Sequence, residues 1–198
     1  MSNTEDISGS IQIKLQMYTC QLSEYMTSIH NVITKLVSLL SKRRGSVYMS
    51  GVGKSGYITQ KCVATWQSLG LLCHCLDAQD SLHGDIGVLR AGDIVIYLTN
   101  SGNTDELIRM AQHLRGRGLI QISLTNAIDS SIGEFMDHTC VLSPTHKIQE
   151  ADTYSLVPSV SSTLFMMILD ITGICLAEKT SYSREEFKKN HPSGALGR

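Results

Sequence analysis

Three short polar runs carry the residue types that could do chemistry. The first is Gly51-Val52-Gly53-Lys54-Ser55-Gly56, straight after the apolar run 46–50. The second is Thr99-Asn100-Ser101-Gly102-Asn103-Thr104, at the end of the apolar run 94–99. The third is Ser159-Val160-Ser161-Ser162-Thr163, just after Pro158. Each opens a stretch with helical periodicity. In the second run Thr99, Ser101 and Thr104 offer hydroxyls and Gly102 admits close backbone approach. The helix start adds free N–H groups, which together make a neutral anion cradle. One such run is an ordinary helix cap, because Ser and Thr are common there. Three at the same end of one parallel sheet point to a bound anion.

A nucleotide is the first anion to test. A P-loop places its leading glycine five residues before the Gly-Lys-Ser triplet, and that position is Tyr48, so the spacing fails. Gly51, Gly53 and Gly56 fit the dinucleotide spacing, and Asp77 stands roughly where its acidic partner belongs. Alone, that pattern is a weak signal. A second, hydroxyl-rich cradle is foreign to ordinary nucleotide folds and favours another phosphate.

The elements that must position these runs follow from periodicity. Residues 11–42 read as a helix, with apolar residues at Ile29, Val32, Ile33, Leu36, Val37 and Leu40. Strands are expected at 46–50, 71–78, 94–99, 119–126 and 138–143. Helices are expected at 57–70, 104–118, 159–180 and 183–190, with a shorter one at 130–137. Ser183, with Glu186 three residues on, suits the start of the last. Such alternation gives a three-layer α/β sandwich: a central five-stranded parallel sheet flanked by helices, plus N-terminal helices. Its ligand belongs at the carboxyl ends of the strands. The helical segment 1–44 is expected to pack on the same domain that residues 45–198 build. The apolar stretch within 159–180 is short for a bilayer and holds Asp170, so a buried or subunit-facing helix is expected.

The chain has 198 residues, 18% of them charged, with a formal net charge of -1, which gives no basic excess for nucleic acid. No run of 18 apolar residues suggests a membrane span, and the polar, acidic start is unlike a signal peptide. A cytoplasmic setting is therefore expected. Six cysteines form no C-x-x-C pair and read as reduced thiols. Cys73-His74-Cys75 is a poor metal set, because His74 would point away from both sulfurs in a strand.

The runs "GVGKSG", "HGDIGVL", "TNSGNTDEL", the Glu of "EADTYSLVPSVSST" and the ending "HPSGALGR" resemble the sugar isomerase (SIS) family. More narrowly, they are similar to the isomerase domain of arabinose-5-phosphate isomerases, from about residue 45 to the end. Those relatives usually continue into paired CBS modules, which these 198 residues do not include. The sequence also has Thr99 and Asn103 where Ser and Glu are usual, and "ADTYSL" where Ala-Cys-Pro-Leu is frequent.

The resemblance implies interconversion of D-arabinose 5-phosphate and D-ribulose 5-phosphate through an enediol, without a cofactor. It places that step in supplying 3-deoxy-D-manno-octulosonate for surface polysaccharide or in sugar-alcohol uptake. It also implies a homotetramer with shared active sites. Its catalytic positions fall on Lys54, Glu106, Glu150 and His191, with His83 as a further substrate-contacting or proton-transferring residue. Gly53, Ser55, Thr99, Asn100, Ser101, Gly102, Thr104, Ser159, Ser161 and Ser162 would bind the phosphate. Lys54 would steady the enediolate or phosphate. Glu150 is the first choice for the carbon base, with Glu106 and His83 as alternatives. His191 suits ring opening or proton shuttling, since imidazole titrates near neutrality. No metal is required, though Asp77, His83 and His191 could gather adventitious zinc. A non-catalytic sugar-phosphate sensor, or an isomerase of a hexulose or heptulose phosphate, are the competing readings.

Overall fold

The structure is a computed structural model that describes residues 2–143, 147–180 and 182–193. Five strands form one parallel sheet: β1 (Val47–Gly51), β2 (Cys73–Cys75), β3 (Ile94–Leu98), β4 (Ile120–Thr125) and β5 (His138–Val141). Their spatial order is β2-β1-β3-β4-β5. Seven α-helices accompany them among the described residues: α1 (Ser2–Glu24), α2 (Met26–Ser41), α3 (Lys54–Ser68), α4 (Ala78–Ser81), α5 (Asp105–Leu114), α6 (Val160–Glu178) and α7 (Arg184–Lys189). Single 3-10 turns cover Asp85–Val88 and Ser131–Phe135.

β3 is apolar at every position because both faces of the sheet are covered. Ile94, Ile96 and Leu98 face the larger core, built with α2, α3 and α6. Val95 and Tyr97 face the smaller one, under α5 and the 3-10 turns. There the buried Tyr97 hydroxyl donates to the Gln121 side chain 2.5 Å away, so the polar end of the ring is satisfied.

The helix expected over 11–42 begins earlier and is divided at Tyr25. The backbone ladder crosses the division, with Tyr25 N–H donating to Gln21 O and Ile29 N–H to Tyr25 O. Tyr25 is buried in the larger core, whereas Ile7, Ile11, Ile13 and Leu15 on α1 are exposed. Helix α3 starts at Lys54, three residues before the apolar periodicity begins, because its first turn is the glycine run itself.

Helix α6 is long and apolar enough to cross a membrane by length and composition, yet over half of it is buried in the larger core. Its Asp170 pairs with Lys61 of α3. The Trp66 indole of α3 donates to Leu169 O at 2.8 Å. Gly173 makes this contact fit, since a Cβ there would collide with the Trp66 ring.

The six cysteines are free thiols. Burial pushes the Cys62 and Cys73 thiols up to about 12, so both stay protonated at neutral pH.

Candidate functional site

Strand order decides where the three polar runs can meet. From β1 the chain crosses by α3 on one face to reach β2 at the edge. From β3 it crosses by α5 on the other face to reach β4. The loops after β1 and β3 therefore diverge, and a crevice opens between them at the strands' carboxyl ends.

The turn after β1 depends on its glycines. Gly53 has φ 59°, where a side chain is strained. A Cβ on Gly51 would lie 2.8 Å from the Ser55 carbonyl carbon, and one on Gly56 would lie 2.8 Å from Gly51 O. The turn delivers Lys54 and Ser55 into a cavity of about 170 Å3. Asn100, from the loop after β3, lines the same cavity, as do Ser161 and Ser162 at the start of α6. Val52, Pro158 and Phe165 complete its walls. Three turns distant in sequence thus share one space.

The loop after β3 is braced from within. Thr99 Oγ1 and Thr104 Oγ1 lie 2.9 Å apart, and Gly102 N–H donates to Thr99 Oγ1 at 3.1 Å. Asn103 N–H donates to the exposed Ser101 hydroxyl at 3.2 Å. Gly102 has φ 67°, and a Cβ there would fall against Ser130, 2.6 Å from its Oγ.

Glu150 is buried at the start of α6. Its Oε2 accepts from Ser159 N–H at 2.8 Å, Ser159 Oγ at 3.1 Å and Ser161 N–H at 3.2 Å. Its Oε1 accepts from the Ser161 hydroxyl. The carboxylate therefore supplies the negative charge that a helix N-terminus attracts. Ser159 and Ser161, expected to hold phosphate, spend these donors on Glu150, while Ser162 faces the cavity without that duty.

Glu106 stands half-buried in the first turn of α5. His83 is exposed, on the turn after α4 whose Gly84 has φ 134°. Asp77 caps α4, accepting from Gln79 N–H at 2.8 Å and Asp80 N–H at 3.0 Å. It also lines a second cavity of about 250 Å3 beside Gly51, Gly53 and Tyr57. The His191 ring stacks on Phe187, centroids 4.1 Å apart. The neighbouring Asn190 amide donates to Ser68 O, at the far end of α3 from Lys54. The 15 residues of α3 span roughly 20 Å, so the chain's own His191 lies away from its Lys54 cavity. Among the described residues no three His, Cys, Asp or Glu side chains converge as metal ligands, and the suggested zinc trio is not brought together.

The SIS domain family matches residues 39–169. The chain belongs to the SIS family. A Chlamydia trachomatis serovar D protein described only as uncharacterized is 37% identical over 89% of this chain and 53% of its own length. The Yersinia pestis arabinose 5-phosphate isomerase KdsD is 30% identical over 90% of this chain and 52% of its own. The chain spans about half the length of these curated relatives. An E. coli CFT073 protein solved in complex with arabinose 5-phosphate superposes with a TM-score of 0.88 and 31% identity, covering 97% of this chain and 100% of that one. The five-stranded parallel sheet with flanking helices is thus the SIS architecture.

Sequence reasoning named Lys54, Ser55, Asn100, Ser161 and Ser162 of the cavity wall. It missed Asn126 and Asp152, which hold the loops that form the wall. Nothing in their local pattern distinguishes them from ordinary turn residues. The tail run "HPSGALGR" is described only as far as Ser193, and His146 also lies outside the described residues.

Proposed function

We propose that this SIS domain is an aldose–ketose isomerase of phosphosugars, with D-arabinose 5-phosphate and D-ribulose 5-phosphate as its pair. The observation that supports this most is the shared cavity, in which the turns after β1 and β3 meet the start of α6 around Lys54. The relatives named as arabinose 5-phosphate isomerases, and the E. coli protein's complex with arabinose 5-phosphate, support the choice of substrate.

Isomerisation moves a proton between C1 and C2 of the opened sugar and stabilises an enediolate between the two states. In this reading Ser55, Asn100, Ser162 and the 99–104 loop hold the phosphate, and Lys54 neutralises charge on the phosphate or enediolate. A carboxylate takes the carbon proton. Glu150 must release a serine donor to do so, whereas Glu106 carries no such bonds. His83 contacts the sugar. His191, remote from its own cavity, acts in the site of a second copy. A homo-oligomeric, tetrameric assembly in the cytoplasm, feeding surface-polysaccharide sugar synthesis, belongs to the same proposal.

A sugar-phosphate sensor is the second reading, favoured by one observation: the Glu150 carboxylate is fully engaged in holding Ser159 and Ser161. The deciding experiment assays purified protein on a panel of pentose, hexose and heptose phosphates in the presence of a chelator. Turnover confined to the arabinose/ribulose pair supports the proposal. Binding of sugar phosphates without any isomerisation overturns it in favour of the sensor.

A further inference from the structure

Asn100 is the cavity's contribution from β3, and the end of β4 holds it. Asn126 N–H donates to Asn100 O at 3.1 Å, and the Thr125 hydroxyl donates to the same oxygen at 3.2 Å. The Asn126 side-chain amide donates to Asn100 Oδ1 at 2.5 Å. With that oxygen engaged, the end of Asn100 left for a ligand is its NH2 group. The rest of the polar wall is Lys54, Ser55, Ser161 and Ser162. Ser161 gives its donors to Glu150, and Lys54, Ser55 and Ser162 can donate to a ligand, which is what a phosphate dianion needs. The reverse orientation of Asn100 would turn a carbonyl oxygen toward the anion.

The bond has a cost that marks it as more than packing. Asn126 Oδ1 is buried and has no hydrogen-bond partner. A buried acceptor left unmade destabilises the fold. An aliphatic residue at 126 would remove that penalty.

We propose that Asn126 is a positioning residue that fixes the Asn100 amide with its donor end toward the phosphate of the substrate. This rests on the sugar-phosphate reading above, and the measurements separate the two. Inorganic phosphate is titrated calorimetrically into the full chain, into Asn126→Ala and Asn100→Ala, and into the double variant. KM, kcat and Tm are measured alongside. Losing one oriented donor predicts phosphate binding about 5- to 10-fold weaker in Asn126→Ala. KM should rise by the same factor, with kcat within about twofold. The double variant should bind no more weakly than Asn100→Ala alone, because Asn126 acts through Asn100. Tm should stay within about 2 °C of the parent or rise. A residue of purely structural importance would instead lower Tm and weaken the Asn100→Ala background further. Unchanged phosphate affinity in Asn126→Ala, or additive weakening in the double variant, overturns the assignment. Phosphate binding that responds as expected in a protein that isomerises no sugar phosphate leaves the assignment standing and removes the isomerase reading. A parent protein that binds no phosphate removes both.

Discussion

Four donors converge on the Glu150 carboxylate, two of them backbone N–H groups at the start of α6. Replacing the carboxylate with an amide exchanges one acceptor oxygen for a donor that faces donors. For Glu150→Gln we expect a loss of roughly 1.5–3 kcal/mol, read as a fall in Tm of about 3–10 °C for a chain of this size. If Glu150 also takes the carbon proton, kcat falls about 100- to 10,000-fold, while a bound sugar phosphate still stabilises the variant. A lowered Tm with kcat retained confines Glu150 to the cap and moves the base to Glu106. The resemblance to the SIS family made Glu150 visible in the sequence. Its partners were not legible, because eight residues of irregular chain lie between it and Ser159. Asn126 was less legible still: a polar residue after a strand looks like any turn until the strand order places it beside Asn100.

At the scale of elements, the segment before α6 is an ordered loop. Asp152 accepts from Val157 N–H at 2.8 Å, Leu156 N–H at 2.9 Å and Tyr154 N–H at 3.1 Å. These bonds, that from Val157 foremost, lower the Asp152 pKa from its ordinary 3.8. A depressed carboxyl stabilises the folded loop fully above its unfolded pKa and stops doing so as pH falls through the folded one. Amides 154–157 should therefore keep constant hydrogen-exchange protection from neutrality down to about pH 4 and lose it below. Asp152→Asn should lose it already at pH 7. Protection that is indifferent to both changes would show that the carboxylate does not hold the loop. The strands and main helices were readable beforehand because their apolar rhythm reports burial directly. The break at Tyr25 was not, since the backbone ladder runs across it and no glycine or proline marks it, and the start of α3 was hidden because its first turn is the glycine run.

At the scale of the whole molecule, α7 places His191 beyond the far end of α3 from Lys54. If the proposed site needs both residues, it needs two chains. Lys54→Ala and His191→Ala should each lose most activity. Mixed after unfolding and refolding together, they should regain about a quarter of the parental rate, because random pairing leaves that share of sites with both groups. No recovery, with mixed oligomers demonstrated, would show that each chain is self-sufficient. The exposed Ile171 and Ile174 on α6, and the apolar groove of about 580 Å3 between α2 and α6, lie on the outer side of the larger core.

Helix α6 also sets a timetable. It covers Trp66 and closes the larger core, yet it is built from residues 160–178 of the chain. During synthesis the five strands emerge before it, and their greasy underside has only α2 and α3 to lie against until residues 160–178 have left the ribosome. Domains settle as units, and half-finished ones invite clumping. A message cut short ahead of Val160 would yield a fragment fit for chaperones and proteases, with two walls of the pocket and no third.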